Sequence, residues 1–346
     1  MRFLLVFLLP VLPAMAVQDT LRNTYIKPFS HGLIAGPVVK YRYPGVEFTG
    51  PDKDFRRIVF RPNSNLTAGI RVNVFGLNIE IGTSVSKGFL NQDRYGTSKA
   101  RDLTMNGFGR RWFGDVQWVR YQGLYYRQTW ADYAGLKVPS RDDLSIRNRS
   151  LSFTWIFDPD RFTYRGAYLF RDQQKRSAGS PLVRVTLNTI GFQGNDPLID
   201  AMDAVHFPSM TNVNGVHFST FGVAPGYSYT WVYKDFFANG TLLAGAAHYW
   251  SRYEASGRPD HYDIQFNFIS TIGLAAGYNG DRYFAGVNYR GQGFRVNREE
   301  VSITGSQNSF VIMAGIRFRE HGVMKKRLND LTPIRNITSQ VMSTNQ

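Results

Sequence analysis

"IRVNVFGLNIEIGTSVS" occupies residues 70–86. Ile70, Val72 and Val74 are apolar, and Arg71 and Asn73 between them are polar. After Phe75-Gly76 the pattern resumes, with Leu77, Ile79, Ile81 and Val85 set against Asn78, Glu80, Ser84 and Ser86. Alternation with period two sends successive side chains to opposite faces of a β-strand. One face of this hairpin is apolar throughout and the other carries charge. What each face meets decides the fold.

The same pattern returns to the end of the chain. Leu151, Phe153, Trp155 and Phe157 alternate with Ser150, Ser152 and Thr154. Ile264, Phe266, Phe268, Ile272, Leu274 and Tyr278 alternate with Asp263, Gln265, Asn267, Thr271 and Gly273. Phe310, Ile312, Ala314, Ile316 and Phe318 alternate with Ser309, Gly315 and Arg317. The runs reach roughly 10–18 residues, whereas strands of soluble proteins average about 5–6. An outer-membrane barrel needs about 9–11 tilted residues per crossing, so long alternating strands with aromatic ends predict an all-β, antiparallel, up-and-down transmembrane β-barrel.

Connections and strand count follow from that reading. Tight turns are expected at Phe75-Gly76, near Phe113-Gly114, from Asp158 to Arg161, at Lys234-Asp235 and at Asn279-Gly280. Longer polar connections fall at 89–100, 129–144, 251–260 and 296–304. Short periplasmic turns and longer outer loops match the barrel pattern, with an even number of strands between consecutive tight turns. A strand at 58–75 and a weaker one at 33–42 open the series. Between 158 and 234 three strands read out, 161–172, 180–193 and 216–233, which breaks the parity. Leaving 180–193 out gives 12 strands, and a hidden strand in 194–215 gives 14. Pro197 and Pro208 disfavour a strand there, so 12 is the expectation.

Composition narrows the class. The chain has 346 residues, no cysteine, 15% aromatic residues and a formal charge of +15. "MRFLLVFLLPVLPAMA" (1–16) has one positive charge at Arg2, a short apolar core and small residues at Ala14 and Ala16, the marks of a secretory signal cleaved before Val17. As a membrane anchor the run is too short, and Pro10 and Pro13 break it. Beyond it no apolar run reaches the roughly 18 residues that a spanning helix needs. An exported chain without thiols excludes metal–thiolate sites and disulfides. Its positive charge points to anionic lipid headgroups or anionic solutes rather than nucleic acid. The expected organisation is a signal at 1–16, an N-terminal segment at 17–54, the barrel at 55–319 with Phe318 as the aromatic end of the last strand, and a polar tail at 320–346 containing Lys325-Lys326-Arg327.

The polar face supplies the functional candidates. Arg71, Asn73, Asn78, Glu80, Arg165, Arg184, Asp263, Gln265, Asn267, Asn288, Arg290 and Arg317 are expected to point into the lumen. Paired arginines and carboxylates there would form a network that plugs the barrel; the excess of arginine would instead suit a narrow, porin-like channel with anion preference. Basic residues in the expected outer loops, among them Arg141, Arg147, Lys175 and Arg176, would face lipopolysaccharide phosphates, which arginine meets with two parallel hydrogen bonds. No HExxH, G-x-S-x-G or phosphate-cradling motif occurs, and neither metal nor cofactor is expected. His217 and Ser219 lie two apart on one strand face, as in membrane-embedded barrel lipases, but "TFG" follows the serine where those enzymes carry Asn-Gly-Arg. A structural or narrow-channel barrel, non-enzymatic, is the first reading; a lipid hydrolase using His217 and Ser219 is the second. A secreted β-sandwich or lipocalin-like binding protein, with its apolar face turned inward, is the third.

The segments 60–82, "GFLNQD" (88–93), "FTYRGAYLFRDQQKRSAGSPL" (162–182), "APGYSYTWVYKDFF" (224–237) and "GLAAGYNGDRYFAGVNY" (273–289) make a further point. Through them the chain resembles the Gram-negative outer-membrane barrels of domain-of-unknown-function family 4421, over residues 55–319. "QKRSAGS" (174–180) is the most specific part, since alternation alone does not produce it. The resemblance implies a barrel in the outer membrane. Its partners would be outer-membrane lipids, lipopolysaccharide and the barrel-insertion machinery. It implies no reaction and no ligand. Residues 194–215 and the tail depart from the family pattern.

Overall fold

The computed structural model describes residues 20–29, 32–51, 56–63, 66–74, 77–85, 92–134, 136–257 and 259–319. The signal segment, the Phe75-Gly76 turn and the tail 320–346 lie outside the described residues. The chain opens with helix α1 (Thr20–Tyr25) and strand β1 (Ile26–Pro28). There follow β2 (Gly32–Thr49), β3 (Arg57–Arg61), β4 (Leu66–Val74), β5 (Leu77–Ser84), helix α2 (Gln92–Tyr95), β6 (Lys99–Phe108), β7 (Trp112–Gln128) and β8 (Ser140–Ile156). Helix α3 (Tyr164–Leu169) and β9 (Asp172–Gln174) interrupt the series. It then continues through β10 (Ala178–Gln193), β11 (Val213–Tyr233), β12 (Phe236–Ala255), β13 (His261–Asn279), β14 (Tyr283–Arg298) and β15 (Val301–Arg319).

All of these strands but β1 and β9 form one antiparallel sheet that closes when β15 pairs with β2, from Ser302↔Thr49 to Arg319↔Gly32, giving a ring of 12 strands. The descending strand read at 58–75 is β3 and β4 in succession, both paired to β2. β4 continues the ring through the short hairpin β5–β6. β3 bypasses that hairpin and pairs straight to the far end of β7, Ile58↔Gln128 to Arg61↔Tyr125. The wall is therefore low beside β5 and β6, and the rim above them narrows to ten strands by the path β2–β3–β7. Gly123 marks the change of neighbour on β7: it has φ of +79°, a β-bulge shifts the register there, and a Cβ would strike the Thr97 carbonyl.

The two faces separate as alternation requires. Ile70 and Ile81 are 65% and 64% exposed on the outer surface, while Arg71 and Glu80 between them are buried within the ring. On β11 the outward residues run Tyr233, Trp231, Tyr229, Tyr227, Pro225, Val223 and Phe221. At about 3.4 Å per residue and a tilt near 40° that belt is roughly 30 Å tall, the thickness of a hydrocarbon core. This outward apolar face removes the soluble sandwich and lipocalin reading, in which such residues turn inward.

The structure corrects the count between 158 and 234 in its details. Residues 180–193 do cross, as part of β10. The segment read as a strand at 161–172 leaves the wall and folds into the lumen as α3 and β9, with β9 pairing to β1. Alternation of Phe162, Tyr164, Tyr168 and Phe170 imitated a strand. Thr163 nevertheless caps a helix, its Oγ1 accepting the Gly166 amide at 3.2 Å, and Phe170 ends it in the left-handed region. Residues 194–212 close the opposite mouth with two short 3-10 turns, Ala204–His206 and Pro208–Met210.

Two turns also shift. The β6–β7 reversal lies at 109–111, because Phe113 is needed inside the ring, 2% exposed, and Gly114 pairs with Gly107. Asn279 remains in β13 rather than forming a two-residue turn, and its side-chain amide donates to the Asp172 carbonyl at 2.9 Å. One wall seam is incomplete. The β13–β14 ladder runs only from Asn279↔Phe284 to Ser270↔Gly293. Beyond it the Asn267 amide bridges to the Arg295 carbonyl (2.9 Å), and Gln265 bridges to both backbone groups of Asn297.

Ile312 is half exposed on β15 between Val39 and Val287, in the middle of the belt. Ile312→Arg should lower the stability of the barrel in lipid vesicles by about 2–4 kcal/mol. The same change at Ser302, at the rim, should cost about 1 kcal/mol or less. Urea titration followed by tryptophan fluorescence measures both, and equal costs would contradict the placement of the belt.

Candidate functional site

The lumen has three storeys. At the end where most turns are short, α3 and its flanks bring Phe162, Tyr164, Tyr168, Leu169 and Phe170 against Phe113, Phe237 and Phe284 of the wall. At the loop end Phe207 and Met210 from the 194–212 segment meet Phe48, Phe60, Phe192 and Phe218 in a second apolar layer. Between these layers lies a charged chamber.

Seven residues form its first cluster. Lys40 Nζ on β2 donates to Glu80 Oε2 at 2.8 Å and to Asp102 Oδ1 at 3.0 Å. Arg71 Nε donates to Glu80 Oε1 at 2.7 Å, and Asn78 Nδ2 donates to the same oxygen at 3.0 Å. Arg42 Nε holds the other oxygen of Asp102 at 2.5 Å, and Thr104 Oγ1 donates to its Oδ1 at 3.1 Å. The cluster exists because β2, β4, β5 and β6 are adjacent and each turns alternate residues inward. A second cluster joins wall to plug. Arg290 Nη1 donates to Asp115 Oδ2 at 2.6 Å and lies 5.8 Å from the Tyr168 ring. Ser152 Oγ donates to the other oxygen of Asp115 at 2.7 Å. Arg184 donates from Nε to Thr154 Oγ1 and from Nη2 to the Tyr164 hydroxyl, both at 2.9 Å.

A third set anchors the plug below. Asp172 accepts from Thr163 Oγ1 (2.6 Å) and Arg165 Nε (2.7 Å), and Arg22 of α1 lies 3.6 Å away. Arg317 donates to the Phe170 carbonyl at 2.7 Å and sits 3.9 Å from the Phe29 ring. The spaces left are small. The cavity beside Lys40, Glu80 and Arg290 is about 50 Å³, and that beside Asp115 and Arg184 about 30 Å³. These hold a few waters at most, since one needs about 10–15 Å³.

The expected lumen residues thus divide by position. Arg71, Asn73, Asn78, Glu80 and Arg184 are buried inside the ring, and Asn288 and Arg290 are half-buried on its inner face. Arg165 belongs to the plug helix, not the wall. Arg317 is a plug anchor. Asp263, Gln265 and Asn267 sit together at the β13–β14 seam, where Gln265 donates to Asp263 at 2.6 Å, away from the ion clusters. Lys40, Arg42, Asp102 and Asp115 were missed. Their signal was present, as charged or polar residues at every second position of "KYR" (40–42), "DLTMN" (102–106) and "DVQ" (115–117).

The expected basic rim needs correction. Lys175 and Arg176 are at the plug end: Lys175 Nζ donates to the Asn23 carbonyl at 2.9 Å, and Arg176 lies over the Tyr25 ring. They were placed outside because 161–172 was read as a crossing strand. Arg141 is at the loop end but is occupied, donating to Asp143 (2.7 Å) and to the Pro197 carbonyl (2.5 Å), and so fastens the lid. Arg147 points outward from β8. His217 and Ser219 also point outward, from β11. His217 Nε2 turns toward Glu254 Oε1 at 3.2 Å, on the rim side, while Ser219 pairs with Trp250 on the belt side. The imidazole is directed away from the serine it would have to deprotonate. Among the described residues no three His, Asp or Glu side chains gather as metal ligands.

Glu80 is the shared partner of two buried cations. Glu80→Gln should cost about 3–5 kcal/mol, because Lys40 and Arg71 stay buried with less counter-charge. Replacing Lys40, Arg71 and Glu80 together with Met should recover most of that loss. Unfolding free energies of the variants in detergent decide it; a silent Glu80→Gln would show that the cluster adds nothing.

A family model described as Domain of unknown function (DUF4421) matches residues 17–318. Comparison with curated proteins gives no match. Among solved structures, the outer membrane protease OmpT of Escherichia coli is similar at 9% identity and a TM-score of 0.38, over 85% of this chain and 98% of that one. The translocator domain of the autotransporter NalP of Neisseria meningitidis is similar at 13% identity and 0.35, over 82% and 88%. The attachment invasion locus protein Ail of Yersinia pestis is similar at 9% identity and 0.26, over 83% and 99%. No activity is carried over from likenesses of this order.

Proposed function

The chain belongs to the DUF4421 family, and from its lumen we propose that it is a closed, non-enzymatic β-barrel of the Gram-negative outer membrane, built to be stable and to present its loop end rather than to conduct. One observation carries the reading: the inward arginines spend their hydrogen bonds on carboxylates, on tyrosine hydroxyls and on the plug. Arg184 reaches Tyr164, Arg290 packs on Tyr168, and Arg317 holds Phe170. A conducting pore keeps its charged side chains in water; these are withdrawn from it. The outward turn of His217 away from Ser219 supports a non-enzymatic role. The apolar belt, the basic outer wall and the short turns at the plug end support insertion with that end toward the periplasm, among outer-membrane lipids and lipopolysaccharide, by the barrel-insertion machinery.

A narrow anion path is the second reading. In the middle storey Lys40, Arg42, Arg71, Arg184 and Arg290 face only Glu80, Asp102 and Asp115 among the described residues. The chamber is thus net positive, and a displaced plug would leave an anion-favouring lumen.

Planar-bilayer recording tests both. The whole protein should give no steady conductance. Replacing residues 160–176 with a short Gly-containing turn should give open events with chloride favoured over potassium. Steady conductance by the whole protein would overturn the closed-barrel reading. Cation selectivity of the plug-less variant would overturn the anion path.

A further inference from the structure

The outer wall carries a row of arginines that the lumen does not explain. Arg101 on β6 stands opposite Arg120 on β7, and Arg120 stands opposite Arg147 on β8. All three point outward. Directly opposed residues on neighbouring strands hold their Cβ atoms about 5 Å apart, and like charges so placed repel. Arg149 adds a fourth charge one outward step nearer the belt, opposite Trp118, and Lys99 a fifth one step nearer the rim. Among the described residues no carboxylate is paired with any of the five; Asp143, farther along β8, is held by Arg141. Arg120 makes one neutral contact, donating to Gln122 at 3.2 Å.

Beside the row is a groove of about 660 Å³ on the outer surface, lined by Val116, Trp118, Leu151, Leu187, Ser219 and Trp250, with Arg149 on its edge. Trp118 and Trp250 are its walls. They stand on β7 and β12, four strand spacings apart, or roughly 19 Å. Arg149 stands in the same row beside Trp118, and beyond it the floor is low because Thr189 and Ser219 carry small side chains. That width takes several acyl chains side by side. Arginine forks at one end and a broad apolar trough below them make the two halves of one amphiphile site.

We propose that this face binds a phosphorylated, multi-acyl lipid of lipid A type. Its phosphates sit on Arg101, Arg120, Arg147 and Arg149, and its chains lie between Trp118 and Trp250. The proposal rests on the outer-membrane reading, since the site lies toward the loop end and so in the outer leaflet. The repulsion within the row is relieved by the bound phosphates, which lets three opposed arginines persist in a stable wall.

Native mass spectrometry of the full-length barrel released from detergent tests the proposal. Lipid A should be retained by the wild type. Arg120→Gln/Arg147→Gln should bind it about tenfold more weakly or worse, the equivalent of at least one lost charge-assisted hydrogen bond. Lys175→Gln/Arg176→Gln, at the plug end, should match the wild type. Without lipid, Arg120→Gln should melt at the same temperature as the wild type or higher, and it should lose the rise in Tm that lipid A gives. If the glutamine pair fails to show the gel shift of a folded barrel, Arg120→Lys/Arg147→Lys replaces it, with a smaller loss expected because the forks are gone and the charge remains. Equal retention by the row variant and the plug-end variant overturns the proposal. So does phosphatidylglycerol, with one phosphodiester, competing as well as lipid A. Neither result depends on whether the lumen conducts, so a failure here is distinct from a failure of the closed-barrel reading.

Discussion

A sheet in hydrocarbon cannot keep an open edge, because each unpaired backbone N–H or C=O there costs several kcal/mol. Everything else in this molecule answers to that constraint. It is met by the long β15–β2 ladder. Closure must also survive a stretch where β5 and β6 are too short to reach the rim. The solution is β3, which pairs with β2 on one side and β7 on the other. The β13–β14 seam meets the same demand differently. Where the ladder stops, the amides of Gln265 and Asn267 supply the hydrogen bonds that β14 would otherwise lack.

Closing the ring creates a second problem, an interior of fixed width that twelve inward faces must fill. Side chains alone leave a gap, and the chain fills it with its own segment. Inserting α3 removes water from the charges around it, so each of them needs a partner. Burial of a lone ion costs several kcal/mol, and a pair is tolerated only when its remaining hydrogen-bonding groups are met as well. Glu80 satisfies that condition with Lys40, Arg71 and Asn78, and Asp115 does so with Arg290 and Ser152. The polar lumen is in part the seating of the plug: Arg184, Arg290 and Arg317 extend from the wall to Tyr164, Tyr168 and Phe170, while Arg42 and Arg71 stay with carboxylates of the wall.

Period two was enough to read the wall. Ile70, Phe153, Phe266 and Ile312 are found outward and Arg71 and Glu80 inward, because a strand's faces are fixed by chain geometry. The plug was not legible by that rule. Phe162, Tyr164, Tyr168 and Phe170 alternate as a strand does, and a six-residue helix buried on nearly all sides has no polar stripe to betray it. Thr163 was the local sign, a capping residue ahead of Tyr164-Arg-Gly-Ala. The parity conflict around 158–234 was the global one. It placed an error in the right interval, and the choice between 161–172 and 180–193 then turned on tertiary demand: the lumen needed filling more than the wall needed another strand. Which arginine met which partner was hidden for a similar reason, since Arg290 and Asp115 are 175 residues apart and meet across the lumen.

The placement of arginine also explains how one residue type serves two ends. Inside, a guanidinium is acceptable because its planar fork can satisfy several acceptors at once, as Arg42 does with Asp102, Thr104 and Gln117. Outside, the same fork is left without an acceptor among the described residues at Arg101, Arg147 and Arg149. Those positions lie just above the belt, at the height where headgroups replace hydrocarbon. A lysine row there could lean away into water on flexible stems. Arginines opposed across three strands have less freedom to part, and their charges add at one place. In the closed-barrel reading, the rim and the outer wall are what is left with which to recognise anything. Lys99, Arg101, Arg120, Arg147 and Arg149, with no paired carboxylate among the described residues, are gathered on that wall, beside a groove with the width of a lipid.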